Sequence, residues 1–201
     1  MKARNILLII GGVIVLAGLL FGASVLYKKM ADKVDTENVV EFQTSAEAPA
    51  ESGAGEAPVQ GNTPAKNFAM TDADGNEMML SDLFDKPVVL NFWASWCPPC
   101  RGEMPDFEEM YKQHGDRINF VFVNLVDGSR ETEETAKAFI EEQGFTFPIY
   151  FDIYGEGSED YEIYYIPDTF FIDRHGDVVS YAVGGIDKEQ MQAGIDKLLE
   201  E

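Results

Sequence analysis

Val88-Val89-Leu90-Asn91-Phe92-Trp93 runs through Ala94-Ser95-Trp96 into Cys97-Pro98-Pro99-Cys100, and this stretch decides the fold. The apolar run predicts a buried strand. The prolines suit the first turn of a helix, where backbone N–H groups lack intrahelical partners. A strand that leads into a C-x-x-C at the start of a helix is typical of a dithiol/disulfide redox centre. Because the chain has two cysteines in all, the sequence predicts one redox-active disulfide, Cys97–Cys100.

The same C-x-x-C could instead be half of a zinc site, which needs two further ligands. The histidines, His114 and His175, stand alone without paired spacing. We therefore predict no metal site, and no cofactor apart from the redox-active disulfide itself.

The first 30 residues predict a membrane anchor. Residues 6–27 carry no charge, and at about 1.5 Å per residue they span the roughly 30 Å hydrocarbon core of a bilayer. A cleaved signal peptide is the alternative, although its apolar region usually has only about 7–15 residues. Lysines flank the run on both sides, so the positive-inside rule does not decide its orientation. We expect one transmembrane helix in the lipid bilayer of the cell membrane.

Composition divides the rest of the chain into two parts. Residues 31–63 are rich in Ala, Glu, Pro, Gly and Ser, which predicts a flexible acidic linker. Residues 64–201 carry the aromatic-rich apolar runs and are long enough for one domain. The net charge of −21 argues against a nucleic-acid partner. We expect the domain outside the cytoplasm, because dithiol chemistry suits an oxidising compartment.

The predicted elements alternate along the domain. They are a β-hairpin over 67–80, a strand over 87–93, a helix over 97–113, a strand over 118–126, a helix capped by Ser129 and ended by Gly144, a strand over 147–151, a short helix within 154–165, strands over 169–172 and 178–183, and a last helix capped by Asp187 with Gln190. This order predicts a mixed central sheet with helices on both faces.

Two blocks of sequence carry a family resemblance. The first runs from Asn91 to Arg101 and continues to Glu103 and Pro105; the second is Ile166-Pro167-Asp168-Thr169-Phe170-Phe171-Ile172-Asp173, followed by Gly176. Over residues 64–200 the chain resembles the thioredoxin superfamily, and within it the membrane-anchored TlpA/ResA-like thiol-disulfide oxidoreductases. The resemblance implies a thioredoxin-like α/β fold. The family usually has Thr or Ser where Asp168 stands, so the surface beside the dithiol differs here.

The two thiols are expected to have different roles. Cys97, exposed at the first helical position, is the attacking thiol, because unpaired N–H groups and the helix dipole stabilise a thiolate there. Cys100 lies one turn inside, is more buried, and resolves the mixed disulfide. Pro98 and Pro99 remove two N–H donors, which makes the dithiol less oxidising.

Glu103 is the third expected catalytic residue. It follows Cys100 by three positions and so lies on the same helical face. Spacing alone leaves a solvated surface glutamate as the alternative, whereas the resemblance implies a functional acid at this position. A buried carboxylate there raises the pKa of nearby thiols and can take the proton of Cys100.

The remaining site residues are expected to contact substrate. Pro167 resembles the superfamily's cis-proline, which leaves the Ile166 backbone free to pair with a bound peptide. Trp96 either shields the dithiol and docks substrate, together with Pro98 and Pro99, or simply packs. Trp93 is expected in the core.

The expected function is that of an extracytoplasmic, single-pass thiol-disulfide oxidoreductase that reduces protein disulfides. The resemblance implies cysteine-containing protein substrates such as the haem-site cysteines of apocytochrome c, and electrons from a membrane thiol-transfer protein. Three alternatives stay open: an oxidant of folding proteins, a peroxiredoxin-like peroxidase and a non-enzymatic metal-carrying module. Against the peroxidase, Leu90 and Ala94 occupy positions where its P-x-x-x-[TS]-x-x-C motif requires Pro and Thr or Ser.

Overall fold

The computed structural model describes the strand Gly55–Ala57 and residues 63–200. Within these residues no helix combines the length and the apolar character that a membrane crossing needs. The predicted anchor at 6–27 and most of the predicted linker at 31–63 lie outside the described residues, so both stay predictions.

The described chain alternates strands and helices. The strands are β1 (Gly55–Ala57), β2 (Thr63–Pro64), β3 (Ala69–Asp72), β4 (Glu77–Met79), β5 (Val88–Trp93), β6 (Asn119–Asn124), β7 (Ile149–Phe151), β8 (Asp168–Ile172) and β9 (Asp177–Val183). The helices are α1 (Pro98–His114), α2 (Glu133–Gln143), α3 (Glu156–Asp160) and α4 (Lys188–Leu199), with a short 3₁₀ helix at Leu80–Leu83.

All the described strands belong to one mixed sheet, in the order β1-β9-β8-β5-β6-β7-β3-β4, with β2 also paired to β9. The central strands β5, β6 and β7 are parallel. The outer strands pair antiparallel: β8 with β5, β9 with β8, and β3 with both β7 and β4. This mixed α/β sheet agrees with the predicted class. The short strand β1 falls inside the segment predicted as a linker.

Strand β5 lies at the centre because its sequence suits burial on both faces. All six of its residues are buried, as expected for a parallel strand covered on each side. Alternate side chains enter two separate cores: Val89 and Trp93 point to one, and Val88, Leu90 and Phe92 point to the other. The predicted core position of Trp93 is therefore confirmed. The strand ends at Trp93, and α1 begins five residues later with the C-x-x-C.

Helices cover both faces of the sheet, as predicted. Helices α1, α2 and α4 pack on one face, with their buried side chains joined in a single cluster. On the other face Gly157 of α3 fits against the ring of Phe68, where an added Cβ would lie 2.5 Å from the ring. That second core also holds Leu80 of the 3₁₀ helix.

Of the two predicted helix caps, the cap of α4 is confirmed and the cap of α2 is wrong. Asp187 caps α4, and its side chain accepts a hydrogen bond from the backbone N–H of Gln190 at 2.9 Å, as predicted. Helix α2 is capped by Thr132, so the prediction of Ser129 as its cap was wrong. Ser129 instead donates its backbone N–H to Asp127 Oδ1 at 2.8 Å, which keeps it in the preceding loop.

Candidate functional site

The dithiol lies where β5 ends and α1 begins. Cys97 and Cys100 form a disulfide with an S–S distance of 2.08 Å and a Cα–Cα distance of 5.3 Å. Cys97 is the N-cap of α1, one position before its first helical residue, and Cys100 lies in the first turn. The predicted pairing of the two cysteines is thus present.

Both sulfurs are buried, which corrects the predicted exposure of Cys97. Its exposed fraction is 2%, and that of Cys100 is 0%. The carbonyl oxygen of Ile166 lies 3.6 Å from Cys97 Sγ and covers it. This carbonyl is far away in the sequence, so local helix-start geometry could not predict the cover.

Few backbone donors reach the outer sulfur. The N–H of Cys100 donates to Cys97 Sγ at 3.3 Å. The two residues between the cysteines are prolines, which have no N–H to donate. The start of the helix therefore stabilises a Cys97 thiolate less than an ordinary first turn would.

Glu103 lies inside the protein, one turn beyond Cys100 on α1. It is 4% exposed, so the alternative of a solvated surface glutamate does not hold. The Asn91 side-chain amide donates to Oε1 at 3.0 Å, and the Ile186 backbone N–H donates to Oε2 at 2.9 Å. Asn91 also donates to Thr169 Oγ1 at 3.0 Å. The Glu103 carboxyl group of α1 is thus bonded directly to strand β5 and to the segment before α4. Strand β8 joins the same network through Asn91.

Burial raises the pKa of Glu103 to about 8, against the two donated hydrogen bonds, which lower it. The group can therefore gain or lose a proton near neutral pH. Asn91, the side-chain partner of Glu103, can hydrogen-bond to either protonation state of the acid. After a flip of its amide, Asn91 presents oxygen in place of nitrogen and accepts from the protonated acid.

Asp168 is a second buried acid at the site, and it was not predicted as a site residue. It is 6% exposed and directly follows Pro167. The Gly184 N–H donates to its Oδ1 at 3.3 Å. Burial raises the pKa of Asp168 to about 6, and its charge helps to raise the pKa of Glu103. The available signal was the departure from the family's Thr or Ser at this position.

A groove of about 370 Å³ passes over the disulfide. Its lining includes every residue predicted to contact substrate except Pro167: Trp96, Pro98, Pro99 and Ile166, together with Cys97, Leu125 and Ile163–Tyr165. The Ile166–Pro167 peptide bond is cis, as predicted, and Pro167 is buried beneath the groove. Trp96 is 38% exposed and forms part of the wall. The groove brings apolar surface directly to the reactive sulfur.

Four groove residues were missed from the sequence: Leu125, Ile163, Tyr164 and Tyr165. Tyr164 and Tyr165 are 81% and 78% exposed, although tyrosine has a large apolar body that usually packs. The cluster of tyrosines over residues 161–165 was the available signal. A larger hollow of about 650 Å³, lined by Lys66, Tyr161 and others, contains neither cysteine. Since the smaller groove contains Cys97, it is the candidate substrate site.

Within residues 63–200, no group of three or more His, Cys, Asp or Glu side chains is placed to hold a metal ion, either near the dithiol or elsewhere.

Known proteins are similar to this chain in sequence and fold. The profile of the AhpC/TSA family matches residues 62–181. The chain belongs to the AhpC/TSA family. It is 34% identical over 138 residues to the thioredoxin-like protein YneN of Bacillus subtilis, which covers 69% of this chain and 80% of the relative. It is 35% identical over 134 residues to the thiol-disulfide oxidoreductase ResA of Bacillus anthracis, covering 67% and 76% respectively.

A solved structure supports the same placement. StoA from Bacillus subtilis superimposes with a TM-score of 0.57 at 32% identity, over 67% of this chain and 99% of StoA. The family member described here is therefore a thioredoxin-like thiol-disulfide oxidoreductase of the ResA/StoA type, and an enzyme. Its redox centre is the Cys97–Cys100 disulfide.

Proposed function

We propose that this oxidoreductase works as a reductant of protein disulfides. The observation that carries the proposal is the buried Glu103, one turn from Cys100 on the helix that holds both cysteines. When it is ionised, Glu103 opposes a second negative charge on the thiols, and the pKa of about 8 lets it lose its proton near neutral pH. The two prolines also withhold N–H donors from Cys97. A poorly stabilised thiolate makes the reduced form less stable, so the dithiol gives up its electrons more readily.

The reaction proceeds by two exchanges. The Cys97 thiolate attacks one sulfur of the substrate disulfide, whose S–S bond breaks as the mixed disulfide forms, and the other substrate sulfur leaves as a thiolate. Cys100 then loses its proton to the Glu103 carboxylate and attacks Cys97 Sγ. This step releases the second substrate thiolate and closes the Cys97–Cys100 disulfide. The substrate gains two electrons, and the enzyme loses two.

The cellular setting is part of the proposal. Residues 6–27 anchor the protein in the cell membrane as a single span, with the catalytic domain outside the cytoplasm. A membrane thiol-transfer protein returns electrons to Cys97–Cys100. The substrates are cysteine-containing proteins, with apocytochrome c haem-site cysteines as the example. The resemblance to TlpA/ResA-like proteins and the uncharged run at 6–27 support these points.

The reduction potential separates a reductant from an oxidant. The full-length protein is equilibrated with dithiothreitol or glutathione buffers, and the free thiols are counted by alkylation and mass spectrometry. Thioredoxin, a reductant, has a potential of about −270 mV, and the oxidant DsbA has about −120 mV. We expect a value nearer to that of thioredoxin. A value nearer to −120 mV would make the protein an oxidant of folding proteins.

The membrane setting has its own test. Protease added to intact spheroplasts is expected to digest the catalytic domain, and an alkaline wash is expected to leave the chain with the membranes. Full protection from protease would place the domain in the cytoplasm instead.

A further inference from the structure

The loop at residues 127–131, which follows β6, is held in one conformation by the Asp127 carboxylate. Three successive backbone N–H groups, those of Ser129, Arg130 and Glu131, donate to Asp127 Oδ1 at 2.8, 2.7 and 2.9 Å. The N–H of Asp127 returns a bond to the Glu131 carbonyl at 3.0 Å. These bonds lower the pKa of Asp127, so the loop stays closed at neutral pH. Arg130 and Glu131 are therefore held in fixed positions.

Glu131 turns inward from this loop toward the chain that precedes Cys97. Its exposed fraction is 0%. Its carboxylate accepts from the Ser95 N–H at 2.8 Å, the Ser95 hydroxyl at 2.7 Å and the Asn124 amide at 2.6 Å. A buried ionisable side chain normally needs a full set of hydrogen-bond partners, and these three bonds provide it. Because the same carboxylate bonds both Ser95 and Asn124, it ties Ser95 to the last residue of β6.

Arg130 turns outward from the same loop and covers Trp96. Its guanidinium carbon lies 3.6 Å from the centre of the Trp96 ring, a distance that gives a favourable cation–π contact. Trp96 forms part of the groove wall and follows Ser95 directly. Two adjacent residues of one loop therefore hold two adjacent residues of the site, Glu131 from inside and Arg130 from outside.

We propose that Arg130 and Glu131 are positioning residues for the dithiol centre, which fix Trp96 as a preformed wall of the groove before substrate arrives. The proposal rests on the proposed docking of protein disulfides in this groove. A free Trp96 side chain would have to be ordered at every binding event, and that ordering weakens binding. Release of Trp96 should therefore raise KM for a protein disulfide, while exchange at the sulfur itself changes less.

The test uses the full-length chain, with insulin as the protein disulfide and 5,5′-dithiobis(2-nitrobenzoate) as the small one. Arg130→Gln removes the cation on the surface without disturbing the core. We expect KM for insulin to rise about three- to tenfold, the range of a lost exposed cation–π contact together with side-chain ordering. Arg130→Lys should recover part of the loss, because lysine keeps the charge. Arg117→Gln changes an exposed arginine three residues beyond the end of α1; it is the matched control and should leave KM unchanged.

A second measurement does not depend on catalysis. Acrylamide quenches exposed tryptophan, and Trp93 is fully buried, so quenching reports Trp96. Arg130→Gln and Ser95→Ala should each increase the quenching constant, since each removes one side of the hold on Trp96. Unchanged quenching in both variants would overturn the proposal. So would an equal loss of kcat on both disulfides with KM for insulin unchanged. A wild-type protein that fails to reduce insulin would count against the proposed function, and quenching alone would then decide the positioning role.

Discussion

Glu103→Gln removes a buried ionisable group at the centre of the site while keeping the size of the side chain. In the wild-type protein burial raises the pKa of Glu103 from an ordinary 4.5 to about 8. Glutamine resembles the protonated acid, and the amide flip of Asn91 provides it with an acceptor. The variant should therefore fold with the same network and lack its titration.

The size of the effect follows from the two pKa values. A rise of about 3.5 pH units corresponds to about 5 kcal/mol, at about 1.36 kcal/mol for each unit. The unfolded chain releases this proton near pH 4.5 and the folded protein near pH 8, so the folded state binds more protons in between. The free energy of unfolding thus falls as pH rises, by up to about 1.4 kcal/mol per pH unit. The contribution is complete below pH 4.5 and is lost as pH passes 8.

Urea unfolding of the oxidised protein from pH 4.5 to 9 measures this slope. Wild type should lose stability across the window relative to Glu103→Gln, with most of the difference reached by pH 8. Asp168 titrates in both proteins, so the comparison largely removes its contribution. Glu141→Gln, an exposed glutamate on α2, is the matched control and should follow the wild-type curve.

Parallel curves for wild type and Glu103→Gln would refute the account of Glu103. They would mean that the carboxyl group titrates in the folded state as it does in water. The proton-transfer role would fall as well, because a group ionised throughout this range cannot exchange its proton near neutral pH. A glutamine variant that resolves mixed disulfides at the wild-type rate would by itself refute the proton-transfer role of Glu103.

Four further substitutions test other parts of the domain. Asp168→Asn should lower the pKa of Glu103, because it removes a nearby negative charge. Carboxyl NMR titration measures this pKa, and an unchanged value would show that the two acids do not interact. Gly194→Ala should destabilise the fold by about 1–3 kcal/mol, since a Cβ there would lie 2.3 Å from the Phe171 ring. Gly102→Ala, which meets open space, should instead stabilise α1 by about 0.5–1 kcal/mol; equal urea midpoints for the two variants would contradict the packing argument. Phe107→Ala should cost about 3–5 kcal/mol in the same assay, because the ring is fully buried.

The local patterns of the sequence were enough to predict most of the fold. Strand β5 is an apolar run interrupted only by Asn91, and α1 begins at two prolines, so both could be placed without tertiary information. The cap of α4 was predictable because the Asp187 and Gln190 side chains each accept from the other residue's backbone N–H within one turn. Ser129 also has a residue type suited to capping, but the backbone N–H groups that it would cap have other acceptors: Glu131 N–H donates to Asp127 Oδ1 at 2.9 Å and Thr132 N–H to Thr135 Oγ1 at 2.8 Å. Competition between nearby acceptors decided that helix start.

The site was predictable where it depended on α1 and harder to predict where distant segments meet. Glu103 could be proposed from its spacing to Cys100 together with the resemblance. The cover over Cys97 comes from Ile166, and the support of Ser95 comes from Glu131, each many residues away. No periodicity links such positions. The role of Asp168 beside Glu103 likewise appears only when β8 and α1 are brought together by β5.

In the proposed reaction Cys97 attacks the substrate disulfide and Cys100 resolves the mixed disulfide. Full-length Cys100→Ala, incubated with insulin and digested under non-reducing, acid-quenched conditions, tests it by mass spectrometry. The account predicts a stable mixed disulfide between Cys97 and an insulin cysteine, because the resolving thiol is missing, and little or none with Cys97→Ala. Mixed disulfides trapped by Cys97→Ala and absent from Cys100→Ala would reverse the two roles and contradict the mechanism.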